Sequence, residues 1–242
     1  MKAVLRELAQ ARRHYSKLPF FGFLRCESVV PHDRLAFLPC AAPLIMALPD
    51  FERLVLRDAE SRHPWQRFLD AHLDRGGDSW RAFLDDFAKL GFDRSASVTQ
   101  VMRGWLRDDA RASRFMGTRL AQIAHGATPL EKLVIAESLD GTARVFFEHC
   151  APLAARIHDG GGPQLRWIGQ AHFAQDSSRA LQGLDRRALE SIELTPPERV
   201  RCLGLAFQVF DLFADWSTEL LAYAEHALEQ RPRVVIARGL TA

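Results

Sequence analysis

The sequence has little from which to build a covalent or metal framework. Its four cysteines, Cys26, Cys40, Cys150 and Cys202, stand far apart. None forms a C-x-x-C pair, which removes zinc-ribbon and thioredoxin-type architectures. They read as buried or partly buried free thiols in a reducing cytoplasm. No apolar stretch approaches the ~18–20 uncharged residues of a membrane span. The Met1–Arg13 segment lacks the continuous apolar centre of a secretory signal. The expectation is therefore a cytoplasmic chain with no membrane partner. Charge of one sign is missing too: 32 basic residues face 30 acidic ones, for a net of +2. That balance gives no field strong enough to argue for nucleic acid. Lysine is scarce, so nearly all the positive charge is arginine. There is no internal repeat, low-complexity block or long Pro/Gly/Ser linker. Residues 1–242 are expected to form one domain, with 1–18 as an N-terminal helix and 231–242 as a loose tail. The Gly160–Gly162 run follows no strand and matches no phosphate-binding pattern. Ser177-Ser178 lacks the flanking glycines of a nucleophile elbow.

What the chain does have is helical spacing almost throughout. Val4, Leu5, Leu8 and Ala11 mark a first helix, and Pro19 ends or restarts it. Pro31-His32-Asp33 reads as a helix start leading into an apolar run from Leu35 to Leu48, buried on nearly every face and kinked at Pro39 and Pro43. A further turn or two follows from Phe51 to Arg57. Pro64 opens a helix carrying Trp65, Phe68, Leu69 and His72. Trp80, Phe83, Leu84, Phe87 and Leu90 continue at three- and four-residue spacing, with Gly91 as a stop. Ser97 or Thr99 caps a helix holding Val101, Met102, Trp105 and Leu106. Phe115 to Ala124 follows. Thr128-Pro129-Leu130-Glu131 is a capped start with proline in the first helical position. Asp159 to Pro163 is a loop, and Leu165, Ile168, His172 and Phe173 mark another helix. Thr195-Pro196-Pro197-Glu198 starts the last long one, whose stripe from Phe207 to Tyr223 reads as core or as a dimer face. Val234 to Ile236 is the only strand-like run. Seven or eight helices without a sheet make an all-α bundle, a class that holds sites between its central helices.

Four stretches carry a more specific signal: PFFGFLRCESVVPHDRLAFLPCAAPLIMALPDFERLVLR, HPWQRFLDAHLDRGGDSWRAFLDDFAKLG, IAESLDGTARVFFEHC and WIGQAHFAQDSS. Together they resemble bacterial proteins of the heme-oxygenase-like superfamily over most of residues 19–180. That superfamily includes heme oxygenases, thiaminase-like hydrolases, the synthase of a quinone cofactor, and non-heme di-iron oxidases. The resemblance implies a heme-oxygenase-like helical bundle. It also implies three helices that supply iron ligands in the di-iron members, the third through positions i, i+4 and i+7 on one face.

The ligand pattern is only partly kept. His72 matches a leading histidine, but the carboxylate expected next falls on Arg75 or Gly76, and the expected histidine on Ser79. On the second helix Asp140 stands where a glutamate is usual, with Glu137 one turn earlier. On the third, His172 and Asp176 have the right spacing, and the final histidine is Arg179. Arginine cannot be a ligand, because it does not deprotonate in proteins. The surviving set of Glu137, Asp140, His172, Asp176 and His72 falls short of two irons. It leaves either no metal or a single iron or manganese ion. Alternatively, His172 and Asp176 form a buried polar pair completed by Arg179. Arg75, Ser79 and Arg179 become candidate contacts to a substrate carboxylate. Two functional expectations follow. One is an oxidase or oxygenase-like enzyme acting on a small metabolite. The other is a binding or accessory protein that keeps the pocket without the chemistry. A cofactor-free hydrolase ranks behind both. His14, alone on an arginine-flanked helix, reads as a surface residue, and His125, His149, His158 and His226 show no ligand spacing with each other.

Overall fold

A computed structural model describes residues 1–73, 79–93, 95–106, 110–169 and 184–230, without the side chains of Ser79, Trp105, Leu184 and Asp185. Among them eleven α-helices and one π-helical turn account for the regular structure, and there is no strand. The helices are α1 Lys2–Tyr15, α2 Pro19–Arg25, α3 Pro31–Arg34, α4 Leu38–Phe51, α5 Pro64–Leu73 and α6 Ser79–Lys89. They continue as α7 Val98–Trp105, α8 Arg111–Ala124, α9 Pro129–Asp159, α10 Leu184–Ser191 and α11 Pro196–Glu229, with the π turn at Glu52–Leu56. The all-α expectation holds, with more and shorter pieces than the seven or eight expected. No helix among the described residues is long and apolar enough to cross a membrane.

Two long helices, α9 and α11, form the axis. Both begin with the expected capping box. Thr128 accepts from the Glu131 amide while Glu131 reaches back to Thr128, and Thr195 and Glu198 repeat the exchange. Pro129 and Pro196 sit in the first turn, where the missing N–H costs nothing. Arg201 bonds Glu131 at 2.7 Å, Phe210 faces Gly141, and Phe146 packs on Trp216. These pairs advance in the same direction along both helices, so α9 and α11 run parallel. Helix α8 runs against them. Its C-terminus leads into the start of α9, while its N-terminal amides of Ala112 and Ser113 are accepted by Glu219, far along α11. That carboxylate caps α8 from another helix, since Ala110 at the N-cap has no side chain able to do so.

Helix α4 lies along α8, with Cys40 beside Ser113 and Ala47 against Gly117. A Cβ added at Gly117 would stand 2.8 Å from that of Ala47, so glycine lets these helices approach. Helices α1 and α2 close one side. Val4, Leu5, Leu8, Phe20, Phe21 and Leu24 are buried, and Tyr15 hydroxyl pairs with Ser217 at 2.9 Å.

Several details depart from the sequence reading. The run expected as one helix from Pro31 is broken between Arg34 and Leu38. Arg34 is almost fully buried and donates to the carbonyls of Val29 and Leu24 at 2.7 and 2.9 Å. Its tether to the end of α2 closes α3 after one turn, and Pro39 then starts α4 afresh. The run is not buried all round either, because Met46 is exposed. Of the α11 stripe, Phe210, Phe213, Trp216 and Leu220 are core, and Phe207 faces outward. The helix expected from Leu165 does not start there: residues 166–169 form bends. Asp86 on α6 is 1% exposed. Its carboxylate accepts the consecutive amides of Arg166, Trp167 and Ile168 at 2.6, 2.7 and 3.1 Å. Gly169 then turns so tightly that a Cβ would lie 2.2 Å from the Leu165 carbonyl oxygen. Of the cysteines, Cys40, Cys150 and Cys202 are buried and Cys26 is partly so, all as free thiols.

Candidate functional site

The polar site lies where the end of α5 meets the second and third turns of α9. Helix α5 is fixed by Gln66, whose amide donates to the Leu56 carbonyl and to Asp70 at 2.9 and 2.8 Å. Leu69 is buried one turn before the end and directs the last turn inward. His72 thereby comes to rest on α9, with its Nε2 3.2 Å from Asp140 Oδ2. The imidazole is 9% exposed and the carboxylate 31%. Oδ2 itself is shielded from solvent and accepts no well-aligned hydrogen bond among the described residues. The pair is thus an electrostatic contact rather than a clean hydrogen bond.

Glu137 stands one turn before Asp140, on the same face of α9. Its proton affinity is raised, to a pKa of about 7. Burial is the first cause, since it penalises the ionised form, and the neighbouring Asp140 charge adds to it. Arg186, His72 and Arg144 act in the opposite direction. This raised proton affinity sits beside a histidine and a second carboxylate. The flanking hydroxyls take no part. Ser138 donates to the Val134 carbonyl at 2.7 Å and Thr142 to that of Leu139 at 2.8 Å, both within α9.

Of the residues singled out from sequence, His72, Glu137 and Asp140 are brought to one place. Ser79 begins α6, with its side chain outside the description. Arg75, His172, Asp176 and Arg179 lie outside the described residues, as does the tail from 231 to 242 with its Val234–Ile236 run. His14 is exposed, as expected. His149 is engaged elsewhere: its Nδ1 faces the Val145 carbonyl at 2.8 Å and its Nε2 meets Arg25 at 2.6 Å.

Sequence reasoning missed three participants. Arg144 follows Asp140 by four residues, a spacing that places it on the same face and was legible. Arg186, on α10, left no local signal. Asp86, which holds the chain just ahead of residue 170, looked like one more acid on an amphipathic helix.

An imidazole touching a carboxylate, backed by a second carboxylate, is suitable donor chemistry for one iron or manganese ion. No metal-holding group of three or more such donors stands among the described residues, and His172 and Asp176 of the expected set lie outside them. No family model matches the chain, and no curated protein matches it either.

Proposed function

We propose that this protein is a heme-oxygenase-like helical bundle that binds a small, carboxylate-bearing metabolite at the polar contact between α5 and α9. The observation that carries this reading is the His72–Asp140 contact at 3.2 Å with Glu137 beside it. Three ionisable groups in a mostly apolar helix interface cost stability unless something pairs with them. Such groups cluster where a ligand or a reaction uses them. The resemblance on which this fold name rests also put His72 and Asp140 on facing helices.

In its enzymatic version the protein is an oxidase- or oxygenase-type oxidoreductase that works with a single iron or manganese ion. The repulsion between Asp140 and Glu137 favours this version, because a cation would relieve it. When bound, the ion would supply the redox chemistry. His72 and Asp140 would hold it, and Glu137 would give up its proton as the cation arrives. The second reading is a binding or accessory protein, favoured by the positive charge of Arg144 and Arg186 acting on the site.

Anaerobic loading with Fe(II) or Mn(II), desalting and metal analysis separate the two. Near-stoichiometric metal that disappears in His72→Ala and Asp140→Asn supports the oxidase version, and a metal-free protein removes it. A turnover that collapses in His172→Ala rules out the binding-only role.

A further inference from the structure

One cation beside this site acts on Glu137 through its charge without touching it. Arg144 is half-buried on α9, and it makes no ion pair or hydrogen bond among the described residues. The nearest acid in its own helix, Asp140 at i−4, sets its Oδ2 3.2 Å from His72 Nε2 instead. Arg186, whose charge also acts on Glu137, is braced differently: its Nε holds Glu190 at 3.3 Å, one turn along α10. Glu137, Asp140 and Arg144 follow one another at three- and four-residue spacing, so they form one stripe along α9. The stripe changes sign along its length, from a protonatable acid through a carboxylate committed to an imidazole to an uncommitted guanidinium.

A guanidinium partly withdrawn from water is poorly compensated unless an anion meets it. Its planar fork matches a carboxylate with two parallel N–H···O bonds. We infer that Arg144 is the residue that binds the carboxylate of the metabolite, and that the site therefore selects monocarboxylic acids over their neutral counterparts. This rests on the function proposed above and adds to it a residue and a substrate class. The order along the stripe fixes orientation as well. With its carboxylate on Arg144, the ligand would extend toward Asp140, His72 and Glu137, so that its adjacent carbons meet the imidazole and the protonatable acid.

The test compares acids with their own amides. Phenylacetate, hexanoate and dodecanoate, each with its primary amide, are titrated against the full-length protein by calorimetry. At least one acid should bind tenfold or more tightly than its amide. Arg144→Met should abolish that preference by weakening the acid far more than the amide. Arg144→Lys should restore part of it. A merely structural role would shift acid and amide together, and a melting curve for each variant identifies a folding defect. If Arg144→Met keeps the acid preference, or if acids and amides bind wild type equally, the inference is overturned while the proposed function stands. If neither acids nor amides bind, both the inference and the proposed function fail.

Discussion

Removing the Asp86 carboxylate tests the non-local contact that most shapes the chain beside the site. Three consecutive amides, those of Arg166, Trp167 and Ile168, end on this one side chain at 2.6–3.1 Å. The carboxylate is 1% exposed, so water cannot readily take its place. In Asp86→Ala each stranded donor carries a penalty of about 1–3 kcal/mol. The sum is not simply additive, since the loop can relax and the buried charge is removed along with its bonds. That second point is real here: burial raises the Asp86 pKa against the three N–H bonds that lower it. Allowing for both, the expected loss is about 2–4 kcal/mol, or roughly 5–12 °C in Tm for a chain of this size. Asp86→Asn keeps one carbonyl oxygen to accept but turns an NH2 group toward the remaining donor, so about 1–2 kcal/mol should be lost. Thermal and urea unfolding give the totals. Amide exchange at residues 166–168 localises them, because protection there should fall first. The reasoning is refuted if Asp86→Ala melts within 1 °C of wild type and those amides stay protected. Phe83 against Trp167 at 5.0 Å and Lys89 to the Gln164 carbonyl at 3.0 Å would then suffice to dock the segment.

Other outcomes follow from the same geometry. Glu137 has a folded pKa of about 7, above its unfolded value of 4.5; its contribution to stability is therefore full below 4.5 and is lost as pH rises through 7. The shift corresponds to a loss on the order of 3 kcal/mol at most, so Glu137→Gln should gain on wild type between pH 5 and 8.5 in melting curves, and parallel curves would refute the shift. Gly117→Ala and Gly204→Ala should have opposite signs. At Gly117 the new methyl meets Ala47 at 2.8 Å, an overpacking cost of about 1–3 kcal/mol that exceeds the helix-propensity gain. At Gly204 nothing lies within 4 Å, so alanine should stabilise by roughly 0.5–1 kcal/mol; denaturant midpoints decide. A double-mutant cycle on Tyr15→Phe and Ser217→Ala should return a coupling of about 1 kcal/mol for their buried hydrogen bond, and a coupling near zero would mean water already competes there. His72→Ala should weaken metal or ligand affinity less than His172→Ala, and equal losses would show both histidines acting as one unit.

Local chemistry was readable along the chain wherever a boundary is written in neighbouring residues. Ser97 with Gln100, Thr128 with Glu131, and Thr195 with Glu198 all form the reciprocal caps their sequences announce. The break after Arg34 could not be read that way. It depends on a buried guanidinium reaching carbonyls five and ten residues back, and a sequence pattern scores arginine as solvent-facing. The bend at residues 166–169 is the sharper case. Leu165 and Ile168 are spaced as in a helix, but an acid eighty residues earlier takes the amides there.

The site was half-readable for a related reason. Over 31 residues α9 packs against α11, α8, α5 and the N-terminal helices in turn. Its apolar positions therefore surround it, and no single polar face stands out in the average. The polar stripe of Glu137, Asp140 and Arg144 is confined to about two turns, or roughly 10 Å. The same seam continues at the same spacing through Phe147 and Ala151, both buried, with Trp167 packed on Phe147 at 5.2 Å. The seam thus changes from ionisable to buried aromatic within one helix. Asp86 holds Trp167 at that end by its backbone. The buried carboxylate that sets the loop thus also seats the aromatic end of that seam. Weakening it should loosen ligand binding even though Asp86 itself touches none of the site residues.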